Sequence, residues 1–105
     1  MSLTVAMNTS LSGMQAYGTR AQATANNIAN AETPGYRRLE TSTAAMPGGG
    51  VSARVKEADG GVDLGTEILD MRQAEIGFEA NAFAYQAGAD MWDVLMSLNR
   101  DDSRD

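Results

Sequence analysis

The chain has 105 residues, of which 6% are aromatic, and contains neither cysteine nor histidine. That size allows one small domain with a thin core, and the two absences exclude disulfides, thiolate chemistry and the commonest general base and metal ligand. The net charge of −6 gathers in residues 62–105 as ten acids against three bases, which argues against a surface for nucleic-acid phosphates.

The first 31 residues carry a single charged side chain, Arg20. Met7, Leu11, Met14, Gly18, Ala21, Ala25 and Ile28 recur at alternating spacings of four and three, which predicts a helix over 3–30 with a coiled-coil seam. Its large apolar residues are few, so such a helix is marginal alone. A second stripe, Asn8, Ser12, Gln15, Thr19, Gln22, Asn26 and Asn30, is polar and uncharged throughout. Solvated helix faces normally carry charged pairs instead. Two readings stay open: a low-complexity, partly disordered terminus, or a face that packs against neighbouring subunits, where unpaired charge is costly.

The segment Ala25 to Arg38 (ANNIANAETPGYRR) organises the chain. Three asparagines in five residues weaken the helix, and asparagine tolerates the left-handed geometry that closes helices. Thr33-Pro34-Gly35-Tyr36 fits a type II turn, with proline and glycine at its two central positions.

Residues 36–61 are the non-helical part. Leu39, Thr41 and Thr43 alternate with polar neighbours, as do Val51, Ala53 and Val55, and Met46-Pro47-Gly48-Gly49-Gly50 lies between. This predicts a small projecting β-hairpin, within a turn-and-hairpin region over 31–61. From residue 63 to 99 the four–three spacing returns in Leu64, Ile68, Met71, Glu75, Phe78, Ala82, Tyr85, Ala89, Trp92, Met96 and Asn99. The helix expected here, within a C-terminal segment over 62–100, is about 55 Å long, which points to a coiled coil. Asp63 is a suitable N-cap, Glu67 and Asp70 suit the first turns, and Arg100 suits the last. Gly77 and Gly88 each cost about 1 kcal/mol against alanine; they read either as tolerated bends or as places where another helix comes close. Residues 101–105 read as a frayed tail.

No constellation for chemistry emerges. Glu75 and Glu79 lie one turn apart without a base or pocket. The terminal aspartates lack calcium-loop spacing, and Gly48-Gly49-Gly50 has no following Lys-Ser/Thr. No catalytic, cofactor-binding or metal residues are assigned. Phe78, Tyr85 and Trp92, seven apart, read as a helix seam rather than a cofactor stack. No run nears the roughly 20 apolar residues that span a bilayer, and the start shows no secretory signal.

Ala25 to Arg38, with Leu11-Ser12-Gly13-Met14-Gln15-Ala16 before it, closely resembles the N-terminal signature of the bacterial flagellar rod and hook protein family. Val62-Asp63-Leu64 through Glu67, Phe78-Glu79-Ala80-Asn81 and Leu98-Asn99-Arg100 resemble its C-terminal block, and together the two blocks span about two thirds of the chain. The short middle is most similar to the small proximal rod proteins; Ile76 departs from the basic residue common at that place. The resemblance implies a structural rod subunit whose two terminal helices line an axial tube and transmit torque. It implies partners among copies of itself, other rod proteins and the flagellar export apparatus. It also implies a place in the periplasm-spanning basal body, reached without a cleaved signal peptide; the short apolar runs, for their part, predict no membrane insertion.

The expected fold is mainly α: two long coiled-coil-forming helices joined by a short hairpin, as one axial-type domain over 1–105. Leu11, Met14, Ile28, Met71, Phe78, Tyr85, Trp92 and Met96 are expected to supply helix-seam and assembly burial. Gln15, Gln22, Asn26, Asn27, Asn30 and Asn81 are the candidate lateral polar contacts, and Thr33, Pro34, Gly35 and Tyr36 the turn. The rival reading is a free-standing helical-hairpin or coiled-coil adaptor.

Overall fold

The computed structural model describes residues 2–102. Two helices, α1 (Leu3–Ala29) and α2 (Leu64–Asp102), flank a hairpin of β1 (Leu39–Ala45) and β2 (Val51–Glu57). The molecule is a rod of 72 × 25 × 14 Å. Its proportions follow from the helices, because 39 residues at about 1.5 Å each make α2 about 58 Å long.

α1 begins where the Ser2 hydroxyl accepts a hydrogen bond from the Val5 N–H at 3.1 Å. It ends at Asn30, whose φ of −109° is not left-handed. Among the described residues only glycines have positive φ, so the asparagines stop the helix by side-chain bonding rather than by backbone inversion. Asn30 Nδ2 donates to the Asn26 carbonyl at 2.9 Å, and Thr33 Oγ1 donates to Asn30 Oδ1 at 3.2 Å. The next turn is the expected one. Tyr36 N–H donates to the Thr33 carbonyl at 3.2 Å, and Gly35 sits at φ 76°, the type II geometry.

The strands pair antiparallel, with Leu39 opposite Glu57 and Ala45 opposite Val51. Leu39, Thr41, Val51 and Ala53 are the half-buried strand residues, and that register puts them on one face. The hairpin does not project as expected. It lies along α1, because Asn27 bonds Leu39 at one end and Ser12 Oγ accepts from the Val51 N–H at 3.1 Å at the other. An isolated two-stranded ribbon is barely stable, and the helix surface supplies its missing packing.

α2 starts at Asp63, whose carboxylate accepts from the Gly65 N–H at 3.1 Å and whose carbonyl accepts from the Glu67 N–H at 3.0 Å. It runs antiparallel to α1, so Gly13 faces Asn81, Tyr17 faces Gly77 and Met7 faces Gly88. Since α1 begins near Gly88, α2 outruns it, and every residue from Asp90 to Asp101 is exposed. Of the expected frayed tail, Asp101 and Asp102 continue the helix; 103–105 lie outside the described residues.

The core between the elements is made of small residues. Ala16, Ala23 and Ala74 are its buried apolar members, with Gly13, Thr24, Asn27 and Glu67 beside them.

Candidate functional site

The junction after α1 is held by one side chain. Asn27 is 1% exposed, and its amide copies one rung of a β-ladder. Its Nδ2 donates to the Leu39 carbonyl at 2.9 Å, and its Oδ1 accepts from the Leu39 N–H at 2.7 Å. The Tyr36 hydroxyl donates to the same Oδ1 at 2.9 Å. An amide carries both donor and acceptor, which is why asparagine can close this bridge and a carboxylate cannot. Thr33, Pro34, Gly35 and Tyr36 thus form one unit with Asn27: the turn delivers Tyr36 back to the helix and aims Leu39 into the hairpin.

A second clasp ties the junction to α2. Arg38 Nε donates to Glu67 Oε1 at 3.0 Å, and its Nη2 lies 4.0 Å from Asp70. Glu67 is 1% exposed, and its Oε2 has no hydrogen-bond partner among the described residues. Breaking such a pair strands a buried charge, so the clasp fixes geometry even where its net energy is small. The sequence assigns Glu67 and Asp70 to the helix start alone. The available signal was Arg38, which follows a nearly uncharged helix and needs an anion.

The helix–helix seam differs from the expected one. Of the stripe on α1, Met7 meets α2 at Gly88, while Leu11 and Met14 border Phe78 across an open depression. Tyr17 packs on Gly77, where an added Cβ would clash with the ring, and the Asn81 amide leaves no room for a Cβ at Gly13. Gly88 likewise receives Met7. Of the two readings for Gly77 and Gly88, close helix approach is the one observed, with α1 as the approaching helix.

Six of the expected seam residues, Leu11, Met14, Met71, Phe78, Tyr85 and Trp92, line open depressions where the helices meet; Ile28 and Met96 line none of them. Leu11 and Met14 meet Phe78 across one depression, and Gly18 and Ala21 meet Met71 and Phe78 across the next. Met7, Tyr85 and Trp92 line a third toward the start of α1. The first two share Gly18 and Phe78, which makes them one groove, and no strand residue lines any of the three. Leu11, Phe78, Trp92 and Met96 are exposed, while Met14, Met71, Tyr85 and Ile28 are half-buried. Met96 sits beyond the reach of α1.

The polar candidates divide. Gln15, Gln22 and Asn26 are exposed, and both glutamines border the groove. Asn30 is half-buried beside Asn26. Asn27 and Asn81 are turned inward; Asn81 Nδ2 donates to the Gly77 carbonyl at 3.0 Å. Both are occupied within the chain, a placement that stripe periodicity alone does not reveal.

No group of three or more acidic side chains with metal-holding geometry occurs among the described residues. No described helix is long and apolar enough to cross a membrane.

No curated protein matches the chain. Residues 7–37 match the family model described as flagella basal body rod protein. That span holds most of α1, the Asn27 bridge, the type II turn and Arg37; the block from Val62 lies outside it. The helix and turn that organise this fold are therefore similar in sequence to the flagellar basal body rod protein family over residues 7–37.

Proposed function

We propose that this chain is a structural subunit of the rod, similar to the small proximal rod proteins, which assembles through α1 and α2 into a tubular axial structure. The match over residues 7–37 supports a structural role in the flagellar basal body rod. Supporting the finer reading is one observation: an elongated chain leaves its large apolar side chains outward, with Ile68 60%, Phe83 79% and Leu98 58% exposed. A monomer in water rarely leaves so much apolar surface open, whereas a subunit enclosed by neighbours buries it on assembly. The uncharged wall formed by Gln15, Thr19 and Gln22 suits the same enclosure, since burying it strands no charge.

In this reading the single axial-type domain spans residues 1–105. Leu11, Met14, Ile28, Met71, Phe78, Tyr85, Trp92 and Met96 supply contact area, and Gln15, Gln22, Asn26 and Asn30 supply lateral hydrogen bonds. Torque passes along packed helices, and export uses the flagellar apparatus. The chain needs no base, nucleophile or cofactor for this role.

The test is copurification. An epitope-tagged chain is expected in isolated basal bodies, and its deletion is expected to arrest rod assembly. A stoichiometric soluble dimer that is absent from basal bodies would establish the adaptor instead. Separately, residues 1–30 fused to a reporter are expected to direct its export, which secretion assays read directly.

A further inference from the structure

The connection from β2 to α2 sets an acid directly before a glycine, in Ala58-Asp59-Gly60-Gly61. Asp59 is fully exposed, and its ion-pair partner Arg37 lies 3.8 Å away in open solvent, a contact that holds the carboxylate weakly. Among the described residues the Gly60 N–H donates no hydrogen bond; only its carbonyl is used, accepting from the Arg38 N–H at 3.5 Å. Gly60 sits at φ 98° and has no Cβ to screen its nitrogen. Other aspartates stand differently. Asp70, Asp90 and Asp93 lie inside α2, where the amide that follows each is tied into the helix ladder. Asp63 has its carboxylate engaged by the Gly65 N–H at 3.1 Å, and the bulkier Leu64 follows it.

We propose that Asp59-Gly60 is a site of spontaneous covalent modification, at which Asp59 converts to isoaspartate in the folded protein and loosens the base of the hairpin. The Gly60 nitrogen attacks Cγ of the protonated carboxyl. The bond from Cγ to the hydroxyl breaks, and the hydroxyl leaves as water with the amide proton, closing a succinimide ring. Water then adds to a ring carbonyl carbon, and the bond from that carbon to nitrogen breaks. Addition at Cγ restores aspartate, whereas addition at the main-chain carbonyl carbon leaves the chain running through Cβ and Cγ. Water is lost and regained, so mass is unchanged and no oxidant or co-reactant is needed. The isomer carries an extra backbone atom between Ala58 and Gly60. Those residues hold the hairpin base: the Ala58 N–H donates to the Arg38 carbonyl at 2.9 Å, and the Arg38 N–H donates to Gly60. The inserted atom moves one bond against the other, beside the arginine that clasps Glu67.

Peptide mapping of the full chain, aged in mildly acidic buffer at body temperature, tests this. Trypsin releases residues 57–72 as one peptide carrying Asp59, Asp63 and Asp70 together. Electron-transfer fragmentation then tells isoaspartate from aspartate at each position. Isoaspartate is expected to build up at Asp59 at least about tenfold faster than at Asp70, whose neighbouring amide must first open. Asp59→Glu has to close a larger ring and is expected to abolish the product. Asp59→Asn is expected to speed it, since ammonia then leaves in place of water. Both variants change one exposed side chain, and circular dichroism should show the helices unaltered. In urea the rate at Asp70 is expected to rise towards that at Asp59. Hydrogen exchange on the aged chain is expected to quicken at Arg38 and Ala58 and to stay unchanged along α1. Equal rates at Asp59 and Asp70 in the folded chain, or isoaspartate at Asp59 only in urea, overturn the proposal. Unaltered exchange at Arg38 and Ala58 in the modified chain overturns the loosening.

Discussion

Two glycines inside helices separate packing from propensity at the scale of single residues. Gly77 receives the Tyr17 ring, and Gly18 faces open space. Alanine at either site raises helix propensity by about 1 kcal/mol. At Gly77 the added methyl must displace the ring or the helix, and overpacking of this kind costs about 1–3 kcal/mol. Gly77→Ala is therefore expected to lower the thermal midpoint and Gly18→Ala to raise it, which paired melting curves would check. Asn27→Leu removes a buried amide that satisfies both backbone groups of Leu39 and the Tyr36 hydroxyl. Leaving them unpaired is expected to cost about 2–3 kcal/mol in urea denaturation.

Each element gains its stability from the elements laid against it. The hairpin touches α1 but not α2, and the Arg38 clasp is what links its base to the second helix. Arg38→Ala leaves Glu67 charged, buried and alone, at a cost of about 3–5 kcal/mol. Arg38→Met combined with Glu67→Leu removes both charges and is expected to recover most of that loss, so a double-mutant cycle shows strong coupling. Amide exchange should follow the same map. Protection is expected to peak over Ala16 to Asn27, where α1 is covered by both the hairpin and α2, and to be weakest along the exposed overhang from Asp90.

For the whole molecule, stability resides where the two helices and the hairpin meet. Small residues fill the intrachain seam, and large apolar ones face outward. Truncation after Asp93 removes exposed helix that α1 does not cover. It is expected to leave the thermal midpoint almost unchanged, read by scanning calorimetry. Loss of cooperative melting in the truncated chain would instead show that the overhang stabilises its own fold.

Periodicity and turn chemistry by themselves determine much of this protein. Alternating four–three spacing marks both helices, Asp63 marks the start of the second, Pro34-Gly35 marks the type II turn, and alternation in Leu39-Thr41 and Val51-Ala53 marks the strands. These are local rules, each set by backbone sterics and hydrogen bonding within a few residues. The signature around Asn27 was legible too, and the match over residues 7–37 falls on it. Only the tertiary structure decided which helix faces meet. The contact that forms sets large side chains of α1 on glycines of α2: Tyr17 meets Gly77 and Met7 meets Gly88. Shape complementarity between distant segments also turned Asn27 and Asn81 inward, laid the hairpin flat and brought Arg38 to Glu67. Sequence spacing fixes where a side chain stands on its own helix; what it meets depends on the other helix.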